Sequence, residues 1–206
     1  MHFARSFAAV AFFAVAVSLP TESRADALSL DHPCAELVKK YLTSVVAQDW
    51  DTAAALLLPS SLERKQKETV AIIKTAPTMS QEQEMLERFG VEDLRELEKL
   101  TPQEFYIMDR KAWHSRINAT DEVMNRKKET LKIDVLSLVE EKDKGYVHAT
   151  VRTSQETLTD RIEELFLISF VLKEGSKTEW LIWPELKDRP IITPLEEAKA
   201  ESAKEE

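Results

Sequence analysis

The fold is decided by residues 131–172, which contain the stretches LKIDVLSLV (131–139), YVHATVRTS (146–154) and LFLISFVL (165–172). The first two stretches alternate apolar and polar residues with the period of two that is typical of a β-strand with one buried face. The third stretch is apolar at nearly every position, which predicts a central strand covered on both faces. Together they predict the main part of an antiparallel sheet.

Short turns connect these stretches and complete the predicted sheet. Asp143-Lys144-Gly145 separates the first two strands, and Glu174-Gly175-Ser176 leads from the third into WLIW (180–183). Glycine next to small polar residues is a hairpin signal, so we expect a meander of four antiparallel strands. The polar side of the second strand, which carries His148, is expected to face solvent or a dimer partner. Its core side is expected to consist of Val147, Ala149 and Val151.

The sequence before residue 130 has helical periodicity. Thr101-Pro102-Gln103-Glu104 is a capping box with proline at the first helical position, and Gly90 is suited to end a helix. Pro59 is expected to end the second helix, and a Ser60–Glu63 capping box is expected to begin the third. The predicted helices span approximately residues 34–48, 52–58, 60–75, 81–89 and 102–115.

The two ends of the chain differ from its middle. Residues 1–25 contain an apolar run over 7–19 and end in Ser23-Arg24-Ala25, the pattern of a cleaved secretory signal peptide. The run is shorter than the roughly 20 residues that span a bilayer, although an uncleaved anchor is the alternative. We therefore expect an exported protein, periplasmic or secreted, without a membrane span after cleavage. Residues 26–33 would form an N-terminal extension, and the acidic residues 185–206 a frayed helix or a disordered tail.

The composition excludes several function classes. Three glycines leave no Gly-rich phosphate loop and no Gly-x-Ser-x-Gly elbow. The single cysteine, Cys34, excludes an internal disulfide and a thiolate zinc cluster, and it is expected to be a lone thiol, free or paired with another chain. A formal net charge of −9, with the basic residues interleaved among acids, argues against nucleic-acid binding. The histidines are too scattered for a metal site, and we expect no metal and no cofactor.

The order of elements, helices followed by an antiparallel meander, predicts an α+β fold in which N-terminal helices cover one face of a curved C-terminal sheet. With its Thr-Pro-x-Glu-Phe helix and its final Trp-Leu-Ile-Trp strand, the chain resembles the NTF2-like (cystatin-like α+β cone) superfamily over residues 34–184. The superfamily includes ketosteroid-isomerase-like and SnoaL-like proteins. The resemblance implies a pocket between the concave face of the sheet and a long helix, and dimers through the outer face. Two departures are the helical insert near 76–100 and the missing first strand between the second and third helices.

Candidate site residues lie on the helix that begins at Thr101. An isomerase or dehydratase of this kind would need a carboxylate or histidine base in an apolar pocket, and Asp109 and His114 are the candidate catalytic residues. Arg110 and His114 share one stripe of this helix, next to the stripe with Asp109. The alternative is an ordinary amphipathic helix, with aromatic residues in the core and Asp109 and Arg110 in water. The candidate ligand-binding residues are Tyr106, Asp109, Trp113 and Trp180.

Three functions are compatible with the sequence. The favoured one is an exported, non-catalytic module that binds a small apolar ligand or a protein partner. The second is a structural or envelope interaction protein without a ligand pocket, and the third is a ketosteroid-isomerase-like or SnoaL-like enzyme. A pocket lined by Asp109 or His114 would favour the enzyme, a purely apolar pocket the binding module, and a filled core the structural protein.

Overall fold

The computed structural model describes residues 25–116, 120–184 and 191–194. The predicted signal peptide up to residue 24 lies outside the described residues, as does most of the predicted acidic tail. The described chain has the expected α+β architecture, with helices preceding a curved, open antiparallel sheet. This is the arrangement expected of a cone-like fold.

The described residues form seven helices, all before the main strands. They are α1 (Pro33–Ala47), α2 (Trp50–Ala55), α3 (Pro59–Lys74), α4 (Met79–Phe89), α5 (Leu94–Lys99), α6 (Pro102–Ser115) and α7 (Asp121–Thr130). Helix α7 was not predicted, because it is strongly polar and only Met124 is buried in it. A helix with so short an apolar stripe has little sequence periodicity to reveal it.

The strands in the described part of the chain are β1 (Ala25–Ala27), β2 (Lys132–Glu141), β3 (Tyr146–Glu156), β4 (Asp160–Leu172), β5 (Trp180–Trp183) and β6 (Ile191–Pro194). Strands β2 to β5 form the predicted meander, and β1 extends it beyond β2. Strand β6 pairs with Asp160–Glu163 of β4, next to β5 on the same edge. The sheet therefore has two more strands than predicted. One begins at Ala25, the last residue of the predicted signal peptide, and continues into the predicted extension. The other lies in the segment that we expected to be frayed or disordered.

The helices pack on the inner face of the sheet. As predicted, Val147, Ala149 and Val151 of β3 are completely buried there, opposite Phe170 and its neighbours in β4. A register shift between Val135 and Ser137 marks a bulge in β2, and bulges bend the bulged strand. The main core thus lies between α1 and the concave side of the curved sheet.

The prediction that β4 is covered on both faces was only partly right. The consecutive residues from Ile168 to Val171 are all buried, so both faces are covered there, but Leu165 and Leu167 earlier in the run are 41% and 50% exposed. An apolar run thus marks a central strand here, but only its second half is covered on both faces.

The local signals at helix ends were mostly correct. Thr101 and Glu104 form the predicted capping box, and Gly90 ends α4 with a φ of 71° that favours glycine. The prediction at Pro59 was wrong, since this residue begins α3 instead of ending the helix before it. Leu58 is the N-cap without a side-chain hydrogen bond, so Ser60 and Glu63 form no capping box. Proline is well suited to the first helical position because its missing N–H would have no partner there.

The segment before α3 contacts the sheet through one bridge. Leu58 N donates to Ile182 O (2.8 Å), and Ile182 N donates to Leu56 O (2.9 Å). Leu57 between them is an isolated bridge residue and not a strand. The strand that the resemblance would place between the second and third helices is therefore reduced to this single pair in the described chain.

The segment 76–100 forms α4 and α5, which build a second, smaller core with α3 and α6. Its fully buried members, Ile73, Leu97 and Phe105, come from α3, α5 and α6. In the main core, Cys34 is also fully buried, and burial raises the pKa of its thiol to about 12. The thiol is therefore protonated and shielded, as expected of an inert core residue.

Candidate functional site

A cavity of about 420 Å³ lies between the inner face of the sheet and the helices. This volume is within the range of about 300–1,000 Å³ that is usual for small-molecule sites. Its walls come from α1, α2, α6, α7 and the inner side of β3 and β4. The aromatic side chains that line it are Tyr41, Trp50, Tyr106, Trp113 and Phe166.

Helix α6 forms one wall of this cavity. Its capping box fixes where the helix begins, and residues at spacings of four, three and one then face the cavity: Tyr106, Arg110, Trp113 and His114. Asp109, which we expected beside Tyr106 and Trp113, is not among the lining residues. The side of α6 that faces the cavity is centred between Arg110 and Trp113. Residues of both predicted stripes therefore line the cavity, and Asp109 lies at the edge of this side.

Arg110 is held firmly in the wall of the cavity. Its Nη2 donates to Asp109 Oδ2 at 2.5 Å, and its guanidinium carbon lies 5.7 Å from the Tyr106 ring centroid and 5.8 Å from that of Trp113. Both distances are within the range of a cation–π interaction. Its Nε is buried and has no hydrogen-bond partner among the described residues.

Two phenols lie next to Arg110. Tyr41 of α1 and Tyr106 of α6 interact through their hydroxyl groups, which come from two walls of the cavity. Burial raises the pKa of both phenols above the ordinary value. Both are therefore neutral at physiological pH and serve as hydrogen-bonding groups and apolar surface.

His114 is placed among aromatic rings and lysines. Its ring centroid lies 5.9 Å from that of Trp50 and 6.0 Å from that of Trp113. Desolvation lowers the pKa of His114, and the positive charges of Lys127 and Lys128 lower it further. The imidazole is therefore neutral at pH 7. It has no hydrogen-bond partner in the part of the chain that the structure describes.

The opposite wall of the cavity is formed partly by β3, whose inward-facing side chains change from apolar to polar along the strand. Val147, Ala149 and Val151 are followed on the same side of β3 by Thr153 and Gln155, which line the cavity. Gln155 Oε1 is buried without a partner among the described residues. This change from apolar to polar at alternate positions is the sequence signal by which the cavity wall could have been found.

Other lining residues have no sequence signal. Trp50, Lys127 and Glu164 belong to three separate elements, and only the tertiary fold brings them together. Trp180, by contrast, was a predicted ligand-binding residue but is not in the lining. Its ring packs edge-on against His32 at 5.4 Å, beside the main core.

On the outer face of the sheet, His148 lies in a polar cluster with Ser169 and Glu141. His148 Nδ1 lies 2.7 Å from Ser169 Oγ, and His148 Nε2 lies 3.7 Å from Glu141 Oε1. This order of groups is that of a hydrolytic triad. Ser169 is only 1% exposed, however, so its hydroxyl cannot reach a substrate carbonyl. The cluster is best described as a polar contact that joins β2, β3 and β4.

Within residues 25–116, 120–184 and 191–194, no group of three or more His, Cys, Asp or Glu side chains is placed to hold a metal ion. None of the helices described there has the length and apolar character needed to cross a bilayer. Comparison with models of known protein families, with curated proteins and with solved structures finds no match to this chain.

Proposed function

We propose that this protein is an exported, non-catalytic module that binds a small, largely apolar ligand in the cavity between its helices and the concave face of its sheet. The observation that supports this function is the cavity itself, with five aromatic side chains in its lining. A concave site with aromatic walls and a few polar groups is the usual form of a small-molecule site. A cavity of about 420 Å³ also favours this function over a structural protein with a filled core.

The polar groups of the cavity favour binding over catalysis. A catalytic histidine is normally oriented by a hydrogen bond to its second nitrogen, and His114 has no such partner among the described residues. Asp109, the other candidate base, is paired with Arg110 and does not line the cavity. The groups nearest to a bound molecule are thus mainly aromatic rings and hydrogen-bonding side chains, with Glu164 as the one carboxylate in the lining.

An acid–base enzyme of the ketosteroid-isomerase or SnoaL kind is the second candidate function. It is favoured by one observation, the neutral imidazole of His114 in the lining of the cavity. A neutral histidine in an apolar site can accept a proton from a bound substrate. Turnover of the natural ligand by the purified protein would support this candidate over the binding module.

We also propose that the protein is exported and that it is related to the NTF2-like superfamily. The N-terminal sequence supports export to the periplasm or the medium. The order of helices and strands, and the cavity on the concave side of the sheet, support a relationship to the NTF2-like superfamily. Both are hypotheses about this chain, and the fold by itself assigns no activity.

The proposed function can be tested by native mass spectrometry of residues 26–206 purified from an exporting host. We expect a mass above that of the bare protein, because a cavity with five aromatic side chains in its lining would retain an apolar ligand during purification. The added mass, released by denaturation and identified, gives the class of the ligand. A bare mass that persists after incubation with host lipid and metabolite extracts would contradict the proposal.

The same experiment tests a homodimer through the outer face of the sheet, which we propose as the partner interaction. Leu136, Leu165 and Leu167 are large, exposed apolar side chains on β2 and β4. We expect a doubled mass for the natural chain and a monomeric mass for Leu165→Glu, since a buried carboxylate would weaken a self-complementary patch. Ile72→Glu, a change of the same kind on exposed α3, is the control. A dimer that survives Leu165→Glu would exclude this face as the interface.

A further inference from the structure

The polar side chains of the cavity indicate which class of ligand it can bind. Two of their polar atoms are buried and without a partner among the described residues: Arg110 Nε on α6 and Gln155 Oε1 on β3. They belong to opposite walls of the same cavity. Buried polar groups are nearly always hydrogen-bonded, and leaving one unpaired costs about 1–3 kcal/mol. The side chains that carry these atoms line the cavity, so the polar atoms of a ligand would lie beside Arg110 and Gln155.

We propose that the ligand is an amphipathic carboxylic acid, whose carboxylate contacts Arg110 and Lys127 and whose apolar body lies against the aromatic wall. This inference rests on the proposed binding function and gives it a substrate class. Arg110 is the main recognition group and Lys127 adds a second positive charge. Tyr41, Trp50 and Phe166 provide surface for the apolar body.

The geometry of Arg110 suits a carboxylate. Nη2 of Arg110 donates a hydrogen bond to Asp109, and the guanidinium lies against the rings of Tyr106 and Trp113, which restrict its orientation. The Arg110 side chain is 33% exposed, so the guanidinium N–H groups that Asp109 does not take can donate to a carboxylate oxygen. A guanidinium that is already oriented loses little side-chain entropy when it binds an anion. Charge-assisted hydrogen bonds of this type are also stronger than those between neutral groups.

The charges around His114 favour an anion at the same end of the cavity. Lys127 of α7 lines the cavity together with Arg110. Burial of the His114 ring lowers its pKa, and the positive charges of Lys127 and Lys128 near it lower that pKa further. Glu164 of β4 also lines the cavity and adds one negative charge to the lining.

Gln155 gives the site its second polar contact. Its amide carries both a donor and an acceptor, so rotation of the amide lets it bind either a carboxylate oxygen or a hydroxyl of the ligand. A neutral apolar molecule would offer Arg110 and Gln155 no hydrogen-bond acceptor. An amphipathic amine would lie near Arg110 and Lys127 and would find one carboxylate, Glu164, in the lining. An acid can accept from Arg110 and from the amide nitrogen of Gln155 on the opposite wall.

The inference can be tested with three probes of the same chain length: decanoate, decanol and decylamine. Binding to residues 26–206, freed of retained ligand, is measured by isothermal titration calorimetry at pH 7.5. We expect decanoate to bind at least about tenfold more tightly than decanol, the effect of one charge-assisted hydrogen bond, and decylamine to bind most weakly. Equal affinities for decanoate and decanol would overturn this inference but leave the proposed binding function standing. Absence of binding by all three would overturn both.

Variants then assign the preference to the named residues. Lys127→Gln and Arg110→Gln are each expected to reduce the decanoate-to-decanol ratio by at least about threefold, with little change for decanol. Lys111→Gln removes the same charge from α6 at a position outside the cavity and should leave the ratio unchanged. If Arg110→Gln does not fold, because Asp109 is left unpaired, Lys127→Gln provides the test. An unchanged ratio in Lys127→Gln and in a folded Arg110→Gln would overturn the assignment, as would an equal loss in the Lys111 control.

Discussion

Val45→Trp is expected to reduce ligand affinity at least about 100-fold, which corresponds to about 2.8 kcal/mol of binding free energy. Val45 lies on α1 and lines the cavity, where its side chain is partly buried. An indole at this position would occupy space that the ligand needs. The cavity is open enough to accept the ring without the strain of overpacking a filled core, which costs about 1–3 kcal/mol. Calorimetric titration with whichever ten-carbon probe binds the natural chain most tightly measures the effect.

The matched control for this prediction is Ile72→Trp. Ile72 is also a β-branched residue on a helix, but it lies on α3, is 61% exposed and is not in the cavity. We expect unchanged affinity in this variant. Circular dichroism and thermal unfolding should show that both variants keep the fold. Normal ligand affinity in a folded Val45→Trp protein would place the binding site outside this cavity.

The parts of the fold that sequence predicted are those controlled by nearby residues. The alternation in β3 placed Val147, Ala149 and Val151 on the core face, since successive side chains of a strand point to opposite sides. The capping box at Thr101 depends on a residue only three positions away. Gly90 ends α4 because its own φ is positive. Each of these signals is complete within a few residues.

The parts that sequence did not predict depend on distant pairing. Strand β1 has only three residues, and it is a strand because it pairs with the end of β2, from Val139 to Glu141. Strand β6 pairs in the same way with the start of β4. Neither segment has an alternating pattern of useful length. The exposed outer side of β4 likewise depends on whether another layer packs there, and the apolar run alone cannot determine that.

The candidate site was predicted in part for the same reason. Helical spacing placed Tyr106, Arg110, Trp113 and His114 on neighbouring stripes of α6, but the rotation of the helix against the sheet decides which stripe faces the cavity. That rotation brings Arg110 into the lining and leaves Asp109 at the edge. The unpaired Nε of Arg110 is a property of three-dimensional packing, and no spacing rule could show it.

Phe170→Ala is expected to have the largest effect on stability, a loss of about 3–5 kcal/mol in the free energy of unfolding. Phe170 is completely buried in the main core, opposite Val147 and next to Ile182. Removing its ring loses apolar burial and leaves a cavity that rigid neighbouring strands cannot close. Denaturant unfolding followed by far-ultraviolet circular dichroism measures the change.

Leu165→Ala, on the same strand, is the control for Phe170→Ala. Leu165 points to the outer face and is 41% exposed, so its truncation should change the free energy of unfolding of the monomer by no more than about 0.5 kcal/mol. The contrast between the two variants tests a central feature of this sheet, a strand that is apolar on both sides but is exposed on its outer side at Leu165. Equal losses in the monomer would mean that something covers the outer face as well. A small loss in Phe170→Ala would contradict its place in the core, and with it the packing of the helices on the concave side that forms the cavity.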